Sequence, residues 1–507
     1  MKIIRNFLMS LAVVLGVSSC NLDLDPTNAI TYEDASKIFD TYDDAVIFAN
    51  GLNTYFRAVQ QGMYWTAPEI QCDMYSADAS YGNNGGPIHT MSDGFTSGDS
   101  DIEGMWNGYY AVIMQCNYFL TNILNIDTDA LSSAESVALN KLKGEAIFFR
   151  AFCYHQLGTL FCDRYEASSA STQLGLPLVT SIDLTARPAR SDLKTTYAYI
   201  TGEVNTAIEY LTAVSASISA ERPTVDAAKA LAARVALWMG SYEDAITYTD
   251  AVISSRAGYT LASDADALEN EFITQDGTEA IYLMYGSTSE GASSLSYYLM
   301  YYYYYSDYDI YLYYCYFYPN ERILEMYDAN DTRYDVFFNL GNDSYMVAAG
   351  YIWDAATLPT IAKYRGNPSI TIYDYHTGST KARVFGLSEM YLIKAEAQAQ
   401  LGLSGDAATT INTLQEARGA SLSTGSMDDI KNEWAKETIG EGLRLSCLKR
   451  WNDGFSGRPQ HSINYPYLMT GTGFDEIDIP AGYYKLTWPI PQTDMEINDN
   501  LVQNPGW

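Results

Sequence analysis

Residues 383–418 read RVFGLSEMYLIKAEAQAQLGLSGDAATTINTLQEAR, and this stretch decides the fold class. Leu387, Met390, Tyr391, Ala395 and Leu401 recur at helical spacing, while Ala395, Ala397 and Ala399 supply small side chains that let a neighbouring helix approach closely. Gly402 and Gly405 interrupt the period, because glycine accepts the positive φ on which many helices end. Asp406 offers a cap to a second helix. Two helices joined by a short turn are predicted.

The same spacing recurs twice. In ALAARVALWMGSYEDAITYTDAVI, Ala233 precedes Gly240 by seven residues, and Asp244 and Ala245 come next, just as Ala395, Gly402, Asp406 and Ala407 do in the first stretch. A third copy, GEAIFFRAFCYHQLG, sets Ala151 seven before Gly158 and then runs into a loop. This is the packing logic of a tetratricopeptide-like hairpin, in which each helix pair buries its small-residue face against the next. The copies are too far apart to be a tandem array, so the hairpins are expected to form a scaffold with long excursions between them.

Thirty basic against 62 acidic residues give the 507-residue chain a formal charge of -32. That argues against nucleic acid, whose phosphates need a basic counter-surface. No CxxC pair exists and there are only four histidines, so neither a metal site nor a cofactor is expected. Nor is there a nucleophile motif or phosphate loop to mark an enzyme. The paired carboxylates of a glycoside hydrolase cannot be read from a chain this rich in acids.

The first residues, MKIIRNFLMSLAVVLGVSSC, combine Lys2 and Arg5 with an apolar run and small residues before Cys20. The run is short for a membrane span, and residues 17–20 resemble a bacterial lipobox. Residues 1–19 are thus expected to be a lipoprotein signal peptide, with Cys20 the acylated anchor. Residues 20–507 are expected to form one body. Residues 20–290 would carry the first hairpins, and residues 291–507 a tyrosine-rich loop, a further hairpin and an extended tail. Cys153, inside an apolar helix, is expected to be a packed thiol.

Helix is predicted from 32 to 59, starting at Thr41 to Asp44, and over 197–211 and 225–254. A strand is predicted at 279–284 and a helix bearing salt bridges to the scaffold over 434–453. Two stretches break this pattern. Residues 63–105 are rich in Gly, Asn, Asp and Ser, with Trp65, Tyr75 and Tyr81 interleaved, and are expected to form a long functional loop. Residues 297–318 hold 13 of the chain's 44 tyrosines. Tyrosine is a good strand former, so a hairpin is one reading; the other is a binding platform, since each ring offers a flat apolar face and a hydroxyl at little entropic cost. The candidate ligand residues are Trp65, Tyr75, Tyr81, Tyr301, Tyr303, Tyr305, Tyr308 and Tyr311 for stacking. Asp73, Asn83, Asn84 and Asp101 are candidates for hydrogen bonds to hydroxyls.

Eight blocks in order resemble the SusD/RagB family of outer-membrane nutrient-binding lipoproteins. They are the lipobox, WNGYYAVIMQCN, GEAIFFRAFCYHQLG together with GLPLV, RPTVDAAKALAARVALWMGSYEDA, DANDTRY, RVFGLSEMYLIKAEAQAQLG, EGLRLSCLKRWND and the terminal WPIPQTDMEINDNLVQNPGW. The resemblance implies a mainly α, SusD-like fold, with tetratricopeptide-like hairpins as scaffold and an irregular, loop-rich ligand-binding face. It also implies a non-catalytic surface lipoprotein that captures oligosaccharide, or in some members peptide, above a SusC-like TonB-dependent transporter. The tyrosine run departs from the usual composition of the family.

Overall fold

A computed structural model of the chain describes residues 39–183, 185–289, 293–294, 301–305, 310–338, 345–348, 351–354, 359–370, 379–461 and 467–507. Its scaffold is helical, as expected. The ten scaffold helices are α1 (Tyr42–Ala58), α2 (Ser100–Asn122), α3 (Ser133–Phe161), α4 (Leu193–Leu211), α5 (Val225–Met239), α6 (Tyr242–Ile253), α7 (Leu387–Gln400), α8 (Ser404–Ala417), α9 (Met427–Thr438) and α10 (Arg444–Trp451). Many starts are written in the sequence. Thr41 with Asp44, Ser132 with Glu135 and Ser426 with Asp429 form capping boxes, and Asp99, Asp192 and Thr224 cap α2, α4 and α5.

Gly240 and Gly402 sit in the left-handed region, at φ 73° and 76°, and end α5 and α7. The third copy uses its glycine differently. Gly158 lies inside α3, where a Cβ would stand 2.7 Å from the Tyr197 hydroxyl, so its missing side chain is what lets α4 close on α3.

In space the hairpins are neighbours. Helices α2 to α8 each pack on the next, including α6 on α7, although residues 254–386 intervene. The excursion is looped out, and the small-residue face runs continuously: Ala232, Ala233 and Ala236 of α5 and Ala395 and Ala397 of α7 are all buried. The connector at residues 175–179 is pinned to α2 and α3. Tyr110 Oη donates to Pro177 O, while Tyr154 Oη donates to Val179 O and accepts from Val179 N.

Four expectations change. Residues 383–386 are a strand, pairing antiparallel with Ala280–Leu283, because all four are buried and Gly386 is extended at φ -123°. Helix α8 starts at Ser404 without a side-chain cap; Asp406 lies in its first turn, where its charge favours the helix dipole. The segment over 434–453 divides into α9 and α10, because Gly440 and Gly442 adopt φ 79° and 74° between them. Residues 63–105 are not one loop: they hold the helices Met63–Ile70 and Gly86–Thr90, the strand Tyr75–Ala77 and the start of α2. Helix α1 occupies 42–58 of the predicted 32–59; residues before 39 lie outside the described residues, Cys20 among them.

The salt bridges of α9 and α10 reach the scaffold, as expected, and Lys436 also pairs with Glu433 within α9. Arg418 Nη1 and Nη2 hold Glu279 at 2.7 and 3.0 Å, and its Nη2 and Nε hold Glu437 at 2.7 and 3.1 Å. Arg333 binds Asp331, Glu433 and Glu437, Arg450 binds Glu396, and Lys363 binds Glu441. Arg383 approaches Glu279 at 3.4 Å, so both ends of the 383–418 stretch converge on one buried carboxylate. Cys72, Cys116, Cys153, Cys162, Cys315 and Cys447 are free, buried thiols. Among the described residues no helix is long and apolar enough to cross a membrane.

Candidate ligand-binding face

The 63–105 stretch and the tyrosine run meet. Tyr75–Ala77 pairs antiparallel with Phe317–Pro319, at the end of the run. Asp78 N donates to Tyr316 O at 2.8 Å and Ala79 N to Tyr467 O at 2.7 Å, which adds a third segment. The next loop carries Tyr81, Asn83 and Asn84. Tyr81 is buried with its ring edge-on to Phe317 and Phe474, each at 6.0 Å. Its hydroxyl donates to Asn83 Oδ1 at 3.1 Å, and Asn84 Nδ2 donates to Tyr81 O at 2.7 Å. Asn83 is held in the left-handed region at φ 62°, a conformation asparagine tolerates, and is exposed. Tyr81 is thus the anchor of the loop, and Asn83 and Asn84 are what the loop presents.

The tyrosine run forms a hairpin, Tyr301–Tyr305 against Ile310–Tyr314, within a four-stranded sheet completed by Tyr345–Ala348 and Tyr351–Asp354. Directly paired residues share a face of a sheet. Tyr302 pairs with Tyr313, Tyr304 with Tyr311, Tyr313 with Met346 and Met346 with Trp353, so these share one face. Tyr301, Tyr303 and Tyr305 share the other with Tyr314, Leu312 and Ile310. The register therefore places Tyr311 on the opposite face of the sheet from Tyr301, Tyr303 and Tyr305. Tyr308 lies outside the described residues.

Other candidates sit in the interior. Trp65 is 9% exposed and packs on Tyr364, and Tyr75 is fully buried. Asp73 is 4% exposed and spends both carboxylate oxygens on Arg444, at 2.8 Å each. These three leave the candidate set, because an apolar run within 63–105 folds inward beneath its polar neighbours. Asp101 stands apart on the first turn of α2, next to Glu103, which accepts from Thr493 Oγ1; burial and Asp99 raise its carboxyl. Tyr467 and Phe474 join the face without being among the candidates from sequence, although residues 467–474 carry the same mixture of aromatics and glycine, Gly471 and Gly473, as residues 63–105.

Glu69 is a fully buried carboxylate that ties its helix to the segment between α9 and α10. Burial raises the Glu69 carboxyl to about 7, although N–H groups of Arg444, Gly440 and Leu443 favour its anion. The folded protein then holds this proton more tightly than the unfolded chain, whose ordinary value is 4.5. The contribution of Glu69 to stability is greatest below that value, falls as the pH rises to about 7, and is level above it. In urea titrations at pH 5 and 7.5, the wild type is expected to lose stability across the interval by an amount that Glu69→Gln abolishes. Equal slopes in the two proteins would contradict the assignment.

Two family models match the chain. One, described as starch-binding associating with outer membrane, matches residues 27–237; the other, described as the SusD family, matches residues 310–507. The starch-binding protein SusD of Bacteroides thetaiotaomicron is 31% identical over 130 residues, which are 25% of this chain and 22% of that protein. The aligned stretch thus spans less than a quarter of that relative. SusD-like protein P2 of Formosa agariphila is 23% identical over 458 residues, 82% of each. A solved SusD superfamily protein from Bacteroides thetaiotaomicron superposes with a TM-score of 0.73 at 23% identity, covering 92% of this chain and 100% of the other. A laminarin-binding SusD-like protein does so with a TM-score of 0.64 at 16% identity, again covering 92% and 100%. At such identities the structural likeness concerns the fold.

Proposed function

The chain belongs to the SusD family, and on that premise we propose that it is a non-catalytic, lipid-anchored protein of the outer-membrane surface that captures oligosaccharide for a SusC-like TonB-dependent transporter. The observation that carries the reading is the pairing of Tyr75–Ala77, which leads into the loop of Asn83 and Asn84, with Phe317–Pro319, at the end of the tyrosine run. Rings stack on the C–H faces of a sugar, and paired amides bond its hydroxyls. The starch-binding and laminarin-binding names of two relatives support the ligand class. Calorimetry against a panel including starch and laminarin tests it, with two sets of variants: Tyr302, Tyr304, Tyr311 and Tyr313 to Ser, and Tyr301, Tyr303 and Tyr305 to Ser. Each lost ring removes roughly 1 kcal/mol, so one set is expected to lower glycan affinity by about tenfold or more and the other to leave it near wild type. Unaltered affinity in both sets, or binding of peptides and of no glycan, would overturn the reading.

Residues 17–20 support the anchor. Several acyl chains hold a protein on a bilayer where one does not, so Cys20→Ser is expected to move the protein from the membrane pellet to the soluble fraction. Continued sedimentation with membranes would exclude Cys20 as the attachment point.

A further inference from the structure

A cavity of about 310 Å³ opens where α3 and α10 end side by side, and it shares no residue with the face described above. Lys449 lines it, and its chemistry there is structural: Nζ donates to Thr159 O and Cys162 O at 2.5 and 2.7 Å, serving the last carbonyls of α3. Asp453 is similarly committed, to Lys431 at 2.6 Å.

Three lining groups have uncommitted capacity. Gln173 donates through Nε2 to Arg164 O, while its Oε1 is buried with no partner among the described residues, a state that costs about 1–3 kcal/mol when nothing fills it. Asn452 ends α10 in the left-handed region at φ 55°, and its side chain is exposed with no hydrogen bond among the described residues. Asp163 accepts from Arg164 N through one oxygen only. The wall opposite is aromatic: the rings of Tyr483 and Tyr484 are 5.0 Å apart, Tyr484 is 37% exposed, and Trp507 backs it at 5.4 Å.

We propose that this cavity is a second binding site, for a single neutral sugar ring, with Tyr484 as the stacking surface and Gln173, Asn452 and Asp163 bonding hydroxyls. An anion is disfavoured, because Asp163 and Asp453 both line the cavity while its two cations are engaged, Lys449 by backbone carbonyls and Arg164 by Glu166. A wholly apolar ligand would leave Gln173 Oε1 unpaired. A polyol ring supplies O–H donors to Gln173 and Asp163, an acceptor to the Asn452 amide, and C–H groups to the tyrosine. The volume lies at the small end of ligand pockets, about 300–1,000 Å³, which suits one ring and excludes a folded polysaccharide.

The test uses the full-length protein with the methyl glycosides of glucose, galactose, mannose, xylose and N-acetylglucosamine, read by saturation-transfer NMR and calorimetry. Asn452→Gly removes the amide while keeping the positive φ, so folding is preserved. Tyr484→Ala removes the stacking ring at an exposed position. At least one glycoside is expected to bind the wild type, and its affinity is expected to fall at least fivefold in each variant. Failure of every glycoside to bind, or binding that Asn452→Gly leaves intact, overturns the proposal. Polysaccharide capture by the tyrosine sheet is measured separately, so either site can fail alone.

Discussion

Arg418→Met is expected to cost about 3–5 kcal/mol and to bring unfolding to a markedly lower urea concentration. Arg418 is fully buried and makes two bidentate pairs, one with Glu279 and one with Glu437, besides donating to Ala262 O. Methionine fills much of the volume and takes away both pairs. Glu437 keeps Arg333 at 2.9 Å, but Glu279 is left with Arg383 at 3.4 Å and the Ala262 N–H. A buried carboxylate short of counter-charge is the expensive part, not the loss of attraction itself. The double variant Arg418→Met with Glu279→Gln is therefore expected to regain a good share of the loss, since it removes the stranded charge along with its partner. Domains hold only about 5–15 kcal/mol in total, so the single variant gives up a large fraction of the whole. A single variant as stable as the wild type, or a double variant worse than the single, would show that this network is not what fastens the C-terminal half to the hairpins.

The hairpins were legible because their signals are local. The seven-residue interval from Ala233 to Gly240 and from Ala395 to Gly402 encodes a small-residue face and a left-handed stop within one helix, and both are realised. What joins them was not legible. Packing of α6 on α7 spans residues 254–386, and closing so long a loop costs only logarithmically more than closing a short one, so the sequence carries no mark of it. The same holds for the charges. Glu437 and Arg444 could be read as bridging to the scaffold, but not to which residues; their partners are Arg418 and Asp73, from other segments. At the candidate face, the strand propensity of tyrosine foretells strands but not their register, which the pairings of Tyr302 with Tyr313 and Tyr301 with Tyr314 supply. Averaged composition misled over residues 63–105. The Gly and Asn of its middle dominate the stretch, whereas Trp65, Asp73 and Tyr75 belong to segments that fold into the core.

Asp73 distinguishes a ligand group from a structural one. Asp73→Asn is expected to destabilise the protein by about 3–5 kcal/mol while the folded fraction binds glycan with unchanged affinity. The carboxylate is held by Arg444 Nε and Nη2 and approached by Arg322 at 3.4 Å, all beneath the strand Tyr75–Ala77. Burial alone would raise this group, but Arg444 outweighs it and holds it at about 2, against an ordinary value of 3.8. A depressed value means that the stabilisation is complete above the unfolded value and is lost as the pH falls through the folded one. The difference implies about 2 kcal/mol of pH-dependent stability, less than the cost of substitution, because protonation leaves a carboxyl that still accepts from Arg444. The gap between wild type and variant should therefore be constant from pH 7 to about 4 and narrow as the pH falls towards 2. Urea midpoints across that range, with calorimetry on the same samples at pH 7, separate the two roles. An Asp73→Asn protein of wild-type stability and weakened glycan affinity would return this carboxylate to the ligand face.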